Sequence, residues 1–116
     1  MRKLFLIVVG LIVLAGVSMA YTTQSTYETG TVSSGAITII RPSFMVSNLL
    51  ILNDSTTSGE NIYLNWEGDL SAALMTTQAW VIKPGEWIRE NNCKTRRMYL
   101  LSATGTPTYR FYGSGN

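Results

Sequence analysis

The sequence contains no histidine, so the strongest candidates for acid–base or metal chemistry are seven carboxylates and a single thiol. Histidine is the commonest general base and metal ligand in proteins, and it activates many nucleophilic side chains. A pair of carboxylates can hydrolyse glycosides without it. The carboxylates here stand mostly in or beside turn-forming segments: Glu28, Asp54, Glu60, Glu67, Asp69, Glu86 and Glu90. This distribution favours a protein that is not an enzyme.

Two smaller groups of residues could bind a metal or react. Glu67-Gly68-Asp69, together with Asp54, offers oxygen ligands for calcium, but the spacing fits no EF-hand loop. We interpret these acids as turn residues and predict no metal and no other cofactor. Cys93 is the single cysteine, and the basic residues that follow it would lower its pKa. The alternatives for this thiol are a half-buried structural residue and a cross-link between two copies.

Aromatic residues are dense in the second half of the chain and are the best candidates for a binding surface. Exposed tryptophan and tyrosine side chains stack on sugars or dock on proteins, whereas buried ones form the core of a small domain. Trp66 continues the apolar alternation of the residues before it, so we assign it to the core. Successive residues of a strand face opposite sides, so Trp87 and the adjacent Ile88 point in opposite directions. We therefore expect at least one of Trp80 and Trp87 to be exposed. The candidate binding residues are Trp80, Trp87, Tyr109 and Tyr112.

The first twenty residues have the pattern of a secretory signal peptide. Arg2 and Lys3 form a basic start, residues 4–17 contain no charged side chain, and small side chains precede Tyr21. We predict cleavage between Ala20 and Tyr21 and an exported protein that is secreted, periplasmic or particle-associated. The alternative is an uncleaved membrane anchor, although the apolar run is shorter than the about 20 residues of a spanning helix.

Removal of this leader changes the charge of the protein. The chain has nine Lys+Arg and seven Asp+Glu, so loss of Arg2 and Lys3 leaves 9 − 2 = 7 basic residues against seven acidic ones. A protein that binds nucleic acid needs a basic surplus to neutralise phosphates. The neutral remainder predicts no nucleic-acid partner.

The rest of the chain is organised as an N-terminal arm and one small β-domain. Residues 21–35 are rich in Thr, Ser and Gly, which predicts a flexible or extended arm, either free or paired with a neighbouring subunit. From residue 36 onward, short β-rich runs alternate with turn signals such as Pro84-Gly85. A helix of one or two turns is predicted over 69–76, with Asp69 as its cap. The predicted strands are 36–40, 44–52, 61–66, 79–83, 86–89, 97–102 and 108–112.

This pattern predicts an all-β fold. The expected architecture is a small antiparallel β-sandwich, jelly-roll-like, with six or seven strands over residues 36–116. The order of the strands within the sheets stays open, because turn signals indicate how many strands there are better than how they pair.

The segment from Val46 to Tyr112 resembles the small β-sandwich accessory proteins of tailed-phage particles, such as decoration, head–tail and fibre-type proteins. The likeness is carried by N-L-L-I-L-N-D-S-T-T-S-G (48–59), N-I-Y-L-N-W (61–66), W-V-I-K-P-G-E-W (80–87) and R-M-Y-L-L-S-A-T-G-T-P-T-Y-R-F-Y (97–112). It implies a role in particle decoration or in joining particle components, without catalysis. The export signal departs from this family, whose members normally assemble inside the cell.

These observations predict an exported, non-catalytic structural or accessory protein of an extracellular or phage-like assembly. Its expected partners are copies of itself or other proteins of that assembly, contacted through strand edges or aromatic side chains. The alternative is a secreted module that binds a carbohydrate or a cell surface through Trp80 or Trp87.

Overall fold

The structure, a computed structural model, describes residues 24–68 and 70–115. In these residues the chain forms eight strands and one short helix. The helix, α1 (Ala72–Gln78), lies between the fourth and fifth strands. The strands are β1 (Gln24–Thr31), β2 (Thr38–Ile40), β3 (Val46–Asn53), β4 (Ile62–Asn65), β5 (Trp80–Ile82), β6 (Trp87–Thr95), β7 (Met98–Leu101) and β8 (Thr108–Gly115).

The strands form two four-stranded sheets. The first sheet has the order β1-β8-β3-β6 and the second has the order β2-β7-β4-β5. Every pairing between these strands is antiparallel. Eight strands divided in this order between two sheets define a jelly-roll β-sandwich. The prediction of a small antiparallel β-sandwich of the jelly-roll type is confirmed.

The eighth strand, β1, comes from the segment predicted to be an arm outside the sandwich. It pairs with β8 of the same chain along its whole length, from Gln24 opposite Gly115 to Thr31 opposite Thr108. A strand at a sheet edge needs few aliphatic residues, because much of its side-chain surface stays in water. Its threonines suit a strand, so the sandwich begins before the predicted boundary at residue 36. The segment after β1 also belongs to the fold, because Val32 is fully buried.

The core lies between the two sheets and is filled by alternate residues of their strands. Leu49 and Ile51 from β3 face Ile62 and Leu64 from β4, and Phe111 of β8 is the largest fully buried side chain. Burial of a side chain of this size stabilises the fold by about 1.5–3 kcal/mol. The complete cluster of buried residues is Val32, Ile40, Val46, Leu49, Ile51, Ile62, Leu64, Ile82, Met98, Leu100, Tyr109 and Phe111.

A turn predicted from Pro84-Gly85 connects β5 to β6. Gly85 has φ 79°, a conformation that glycine adopts without steric cost. The amide of Glu86 donates to the carbonyl of Lys83 at 2.9 Å, which closes the turn.

The two sheets differ in what covers their outer faces. The helix α1 packs on the second sheet, where Met75 forms a small buried cluster with Tyr99 and Leu101. Ser71 caps this helix by accepting a hydrogen bond from the amide of Leu74 at 3.3 Å. The cap was predicted at Asp69, which lies outside the described residues. The first sheet has no such cover among the described residues, and its outer face is open to solvent.

The predicted leader, residues 1–20, and the predicted cleavage position between Ala20 and Tyr21 lie outside the described residues. Within the part of the chain that the structure describes, no helix is long and apolar enough to span a bilayer.

Candidate docking surface

The outer face of the first sheet carries an aromatic row across all four strands. Tyr27 of β1 lies opposite Tyr112 of β8, Tyr112 lies opposite Leu50 of β3, and Leu50 lies opposite Arg89 of β6. The rings of Tyr27 and Tyr112 have their centroids 4.7 Å apart at 39°. We call these four residues the aromatic row. Aromatic neighbours on one face of a sheet stabilise the pairing of their strands.

A second row lies beside the aromatic row on the same face and contains Trp87. Thr29 of β1, Arg110 of β8, Leu52 of β3 and Trp87 of β6 are aligned by the same pairings. We call it the tryptophan row. The Arg110 guanidinium donates to a carboxylate oxygen of Asp54 at 2.9 Å, and this bond raises the pKa of Arg110.

A polar row borders the aromatic row on its other side. It consists of Ser25, Ser114, Asn48 and Asn91, one residue from each strand. The amide nitrogen of Asn48 lies 3.4 Å from the hydroxyl of Ser114. Together the three rows form the outer face, a surface with an apolar and aromatic centre and hydrogen-bonding groups at one side.

The outer face is exposed and shallowly concave. Trp87 is 60% exposed, Tyr27 53% and Tyr112 43%. One depression of ≈ 660 Å³ lies over the aromatic and polar rows. A second, of ≈ 330 Å³, is lined by Leu50, Leu52, Trp87, Arg89 and Tyr112. Large exposed apolar side chains that lie next to each other mark surfaces that bind another molecule.

The structure brings two of the four predicted binding residues together on this face. Trp87 and Tyr112 both line the smaller depression. Trp80 is 57% exposed but belongs to β5 at the edge of the second sheet. There it stacks on Trp66, with ring centroids 6.1 Å apart and the rings 6° from parallel. Trp66 packs against the core as predicted, although it is only partly buried.

Tyr109 is not a surface residue, which corrects its assignment to the binding set. It is 3% exposed and belongs to the core cluster. Its hydroxyl donates to the Glu28 carboxylate at 2.9 Å. Burial, together with this carboxylate, raises the pKa of Tyr109. The ring lies over Gly30, where a Cβ atom would come within 2.8 Å of the tyrosine oxygen. Tyr109 therefore fixes β1 to the sandwich.

Sequence reasoning missed Tyr27, Leu50, Leu52 and Arg89. Tyr27 lay in the segment taken for an arm. The two leucines belong to a continuous apolar run, in which the residue pattern does not show which side chains face outward. The alternation of β8 did contain a usable signal, because Tyr109 and Tyr112 are three residues apart and must lie on opposite faces of a strand.

The thiol and the carboxylates considered for catalysis or metal binding make contacts that stabilise the fold. The Cys93 thiol is half-buried and donates to the Val46 carbonyl at 3.3 Å. Burial raises the pKa of Cys93, contrary to the lowering expected from its basic neighbours. Glu86 accepts from the amide of Lys83 at 3.1 Å, and Asp54 pairs with Arg110. Among the described residues, which exclude Asp69, no three potential metal ligands form a group.

Comparison with known proteins does not assign the chain to a family. No family model matches the chain, and no curated protein matches it significantly. The solved structure of PirA is similar over 77% of this chain and 93% of that one, with 10% identity and a TM-score of 0.46. A de novo designed double-stranded beta-helix matches 79% of this chain and 99% of its own, with 14% identity and a TM-score of 0.41.

A third solved structure, a putative mannose-6-phosphate isomerase from Ralstonia eutropha JMP134, covers 78% of this chain and 70% of its own. Its identity is 14% and its TM-score is 0.37. Scores of this size carry no argument about function. The fold and its outer face define the chain as a jelly-roll sandwich with an exposed aromatic surface. The resemblance to phage accessory proteins stays a prediction.

Proposed function

We propose that this chain is an exported, non-catalytic component of a protein assembly and that it docks on a neighbouring subunit through the outer face of its first sheet. The observation that carries the proposal is the asymmetry between the sheets. The second sheet buries Tyr99 and Leu101 of its outer face against α1 and leaves only aliphatic side chains of its short edge strands exposed there, Ile39 and Val81. The first sheet leaves the aromatic side chains of Tyr27, Tyr112 and Trp87 in water. Such aromatic residues are enriched among those that dominate binding energy at protein interfaces.

The energetics indicate what such an interface must include. A tyrosine or tryptophan buries about 150–250 Å² when fully covered, so half-exposed rings have about 100 Å² each left to bury. At about 25 cal/mol per Å² this amounts to about 2.5 kcal/mol per ring. Three rings would then supply about 7.5 kcal/mol, which is within the roughly 4–15 kcal/mol that association costs. A stable interface therefore needs further contacts, and the adjacent Leu50 and Leu52 belong to the same surface.

The charges on the face suit a protein partner. Arg89 ends the aromatic row and, among the described residues, has no ion-pair partner. Arginine is enriched at interfaces because its planar guanidinium donates several hydrogen bonds and stacks on aromatic rings. We expect a carboxylate or a carbonyl of the neighbouring subunit to meet Arg89.

The remaining parts of the proposal rest on the sequence. Export is supported by the pattern of residues 1–20. A role in a particle is supported by the resemblance of residues 46–112 to phage accessory proteins. The jelly roll is an architecture that viral capsid proteins use among many others, and a shared fold does not establish a shared role.

A carbohydrate-binding module is the second candidate, and the polar row is the observation that favours it. Sugar rings stack on aromatic side chains while their hydroxyl groups hydrogen-bond to nearby polar groups. Here the aromatic row lies directly beside two serines and two asparagines. A soluble oligosaccharide that bound to the isolated protein and was lost in Tyr112→Ala would favour this candidate over assembly.

Density-gradient fractionation of the culture medium and cell envelopes tests the first candidate. The wild-type chain should sediment with large particles or filaments. Tyr112→Ala and Trp87→Ala should shift it to slowly sedimenting fractions with its circular dichroism spectrum unchanged. Trp80→Ala is the matched control, because Trp80 is equally exposed but lies on the other sheet. Sedimentation of the wild-type chain as a small species, or an equal shift in all three variants, would contradict docking through the outer face.

A further inference from the structure

Three of the four sheet edges have features that discourage pairing with another chain. The edge strands of the second sheet, β2 and β5, are three residues long. The strand β6 at one edge of the first sheet carries Arg89, Glu90 and Lys94. Asn92 and Lys94 in it have φ of 64° and 49°, and its register against β3 shifts between Val46 and Asn48. Short length, charge and irregularity are the usual protections of an edge strand.

The strand β1 at the fourth edge has none of these protections. It is eight residues long, with the sequence Q-S-T-Y-E-T-G-T, and so contains no proline, lysine or arginine. It pairs with β8 without a register shift. Among the described residues, no strand pairs with its other side. A long, regular and nearly uncharged edge is a template for another strand.

The hydrogen-bond pattern identifies which groups of β1 point outward. The amide of Val32 donates to the Pro107 carbonyl at 2.9 Å, so residue 32 faces β8. Because the direction alternates along a strand, residues 24, 26, 28 and 30 also direct their backbone groups to β8. The N–H and C=O groups of Ser25, Tyr27, Thr29 and Thr31 therefore point away from the sheet. The close contact of Tyr27 with Tyr112 fits this pattern, because side chains approach most closely in pairs that are not hydrogen-bonded.

We propose that β1 pairs antiparallel with β1 of a second copy of this chain, around a two-fold axis that places Tyr27 opposite the partner's Tyr27. In this register Ser25 lies opposite the partner's Thr29, and Thr29 opposite the partner's Ser25. Each of these three pairs exchanges two hydrogen bonds, so the junction gains about six. This inference rests on the proposed function, since it supplies an additional contact between subunits of the same assembly.

The residues of β1 select this register. Sliding the two strands by two residues, so that the two-fold axis moves toward the C-terminus, would place Glu28 opposite the partner's Glu28. Like charges directly opposite each other destabilise a sheet. A shift in the other direction leaves fewer residues paired. A shift by one residue would oppose the inner face of one copy to the outer face of the other. In the proposed register Glu28 lies opposite the partner's Thr26.

Pairing through the β1 edge is self-complementary and would stop at two copies, while the outer face stays available for other contacts in the assembly. A two-fold interface uses the same surface on both copies and consumes both free edges. The result is a continuous eight-stranded sheet. In it, the aromatic rows of the two copies join through Tyr27 and the partner's Tyr27. The outer face of the pair would then be twice as long as that of one copy.

Disulfide trapping tests the register. The full chain is produced as Cys93→Ser with either Ser25→Cys or Thr29→Cys, and each is purified in the form that the cell yields. Opposed residues of a hydrogen-bonded pair have Cα atoms about 5.5 Å apart, which is within the range of a disulfide. An equimolar mixture under mild oxidation should give at least ten-fold more covalent dimer than either variant alone. In each variant alone, the two identical positions lie about 13 Å apart along the strands.

Sedimentation equilibrium on the unoxidised proteins completes the test. A doubled mass together with the mixture-specific disulfide supports the pairing. A doubled mass with equal or absent cross-linking in the mixture overturns edge pairing and leaves docking through the outer face untouched. A single-chain mass throughout the concentration range also overturns it. In that case the gradient experiment with Tyr112→Ala still decides the proposed function separately.

Discussion

The change of Gly30 to alanine tests whether β1 is part of the sandwich. Gly30 lies under the ring of Tyr109, and an added Cβ atom would be 2.8 Å from the hydroxyl oxygen and 2.9 Å from a ring carbon. Because the ring is buried and its hydroxyl is held by Glu28, either the ring or the strand must move. Overpacking of this kind costs about 1–3 kcal/mol. For a domain of this size, each kcal/mol lowers Tm by about 4–8 °C.

A free arm would give a change of the opposite sign. In an unpacked segment, glycine to alanine removes conformational freedom from the unfolded chain and stabilises by about 0.4–1 kcal/mol, or changes nothing if the segment is disordered in both states. Thermal unfolding followed by circular dichroism distinguishes these results. Hydrogen exchange of the Phe111 and Gly113 amides, which face β1, provides a local readout. Ser25→Ala on the same strand is the control and should change the free energy of unfolding by less than about 0.5 kcal/mol. An unchanged or raised Tm in Gly30→Ala would refute the assignment of β1 to the sandwich.

Two further predictions concern buried polar groups. Asn53→Ala should lower the free energy of unfolding, measured with denaturant, by about 2–4 kcal/mol. The fully buried side-chain amide of Asn53 donates to the carbonyls of Glu60 and Ile82 at 2.8 and 2.9 Å. Loss of these two hydrogen bonds leaves both carbonyls unpaired. The neighbouring Asp54→Asn should have a much smaller effect, since its ion pair with Arg110 is exposed; equal losses would contradict the burial argument. Stability should also fall at alkaline pH. The pKa values of Cys93 and Tyr109 are raised above 9.0 and 10.0 in the folded protein, so the unfolded chain loses these protons first. The stability that these two groups contribute is fully present below their unfolded-state pKa values. It is lost as the pH rises through their raised folded-state pKa values. Tyr109→Phe should flatten this decline between about pH 10 and 12, and an unchanged pH profile would show that the hydroxyl is not desolvated.

The sequence predicts those features that arise from local pattern. The alternation of residues 61–66 gives β4 and the inward direction of Ile62 and Leu64, which are fully buried. Pro84-Gly85 gives the turn between β5 and β6, because the conformational preferences of these two residues act at the turn itself. These features need no knowledge of the rest of the chain.

Features that depend on distant partners could not be predicted in the same way. The strand β1 is held by β8, whose paired residues lie 77 to 91 positions further along the chain, and its own polar sequence gives no apolar pattern. The order β1-β8-β3-β6 also arises from long-range pairing. The outer face follows from this order, since Tyr27, Tyr112, Leu50 and Arg89 form one row only when their strands are neighbours. The uncovered state of the first sheet depends on where α1 packs, which its short sequence does not indicate.

Side-chain footprinting of the assembled protein tests the central claim most directly. Hydroxyl-radical labelling of Trp87, Tyr112 and Trp80 would be measured by mass spectrometry in the particle fraction and in the isolated chain. Docking through the outer face predicts that labelling of Trp87 and Tyr112 falls several-fold on assembly while that of Trp80 stays the same. Equal labelling of Trp87 and Tyr112 in both states, or protection of Trp80 alone, would contradict it.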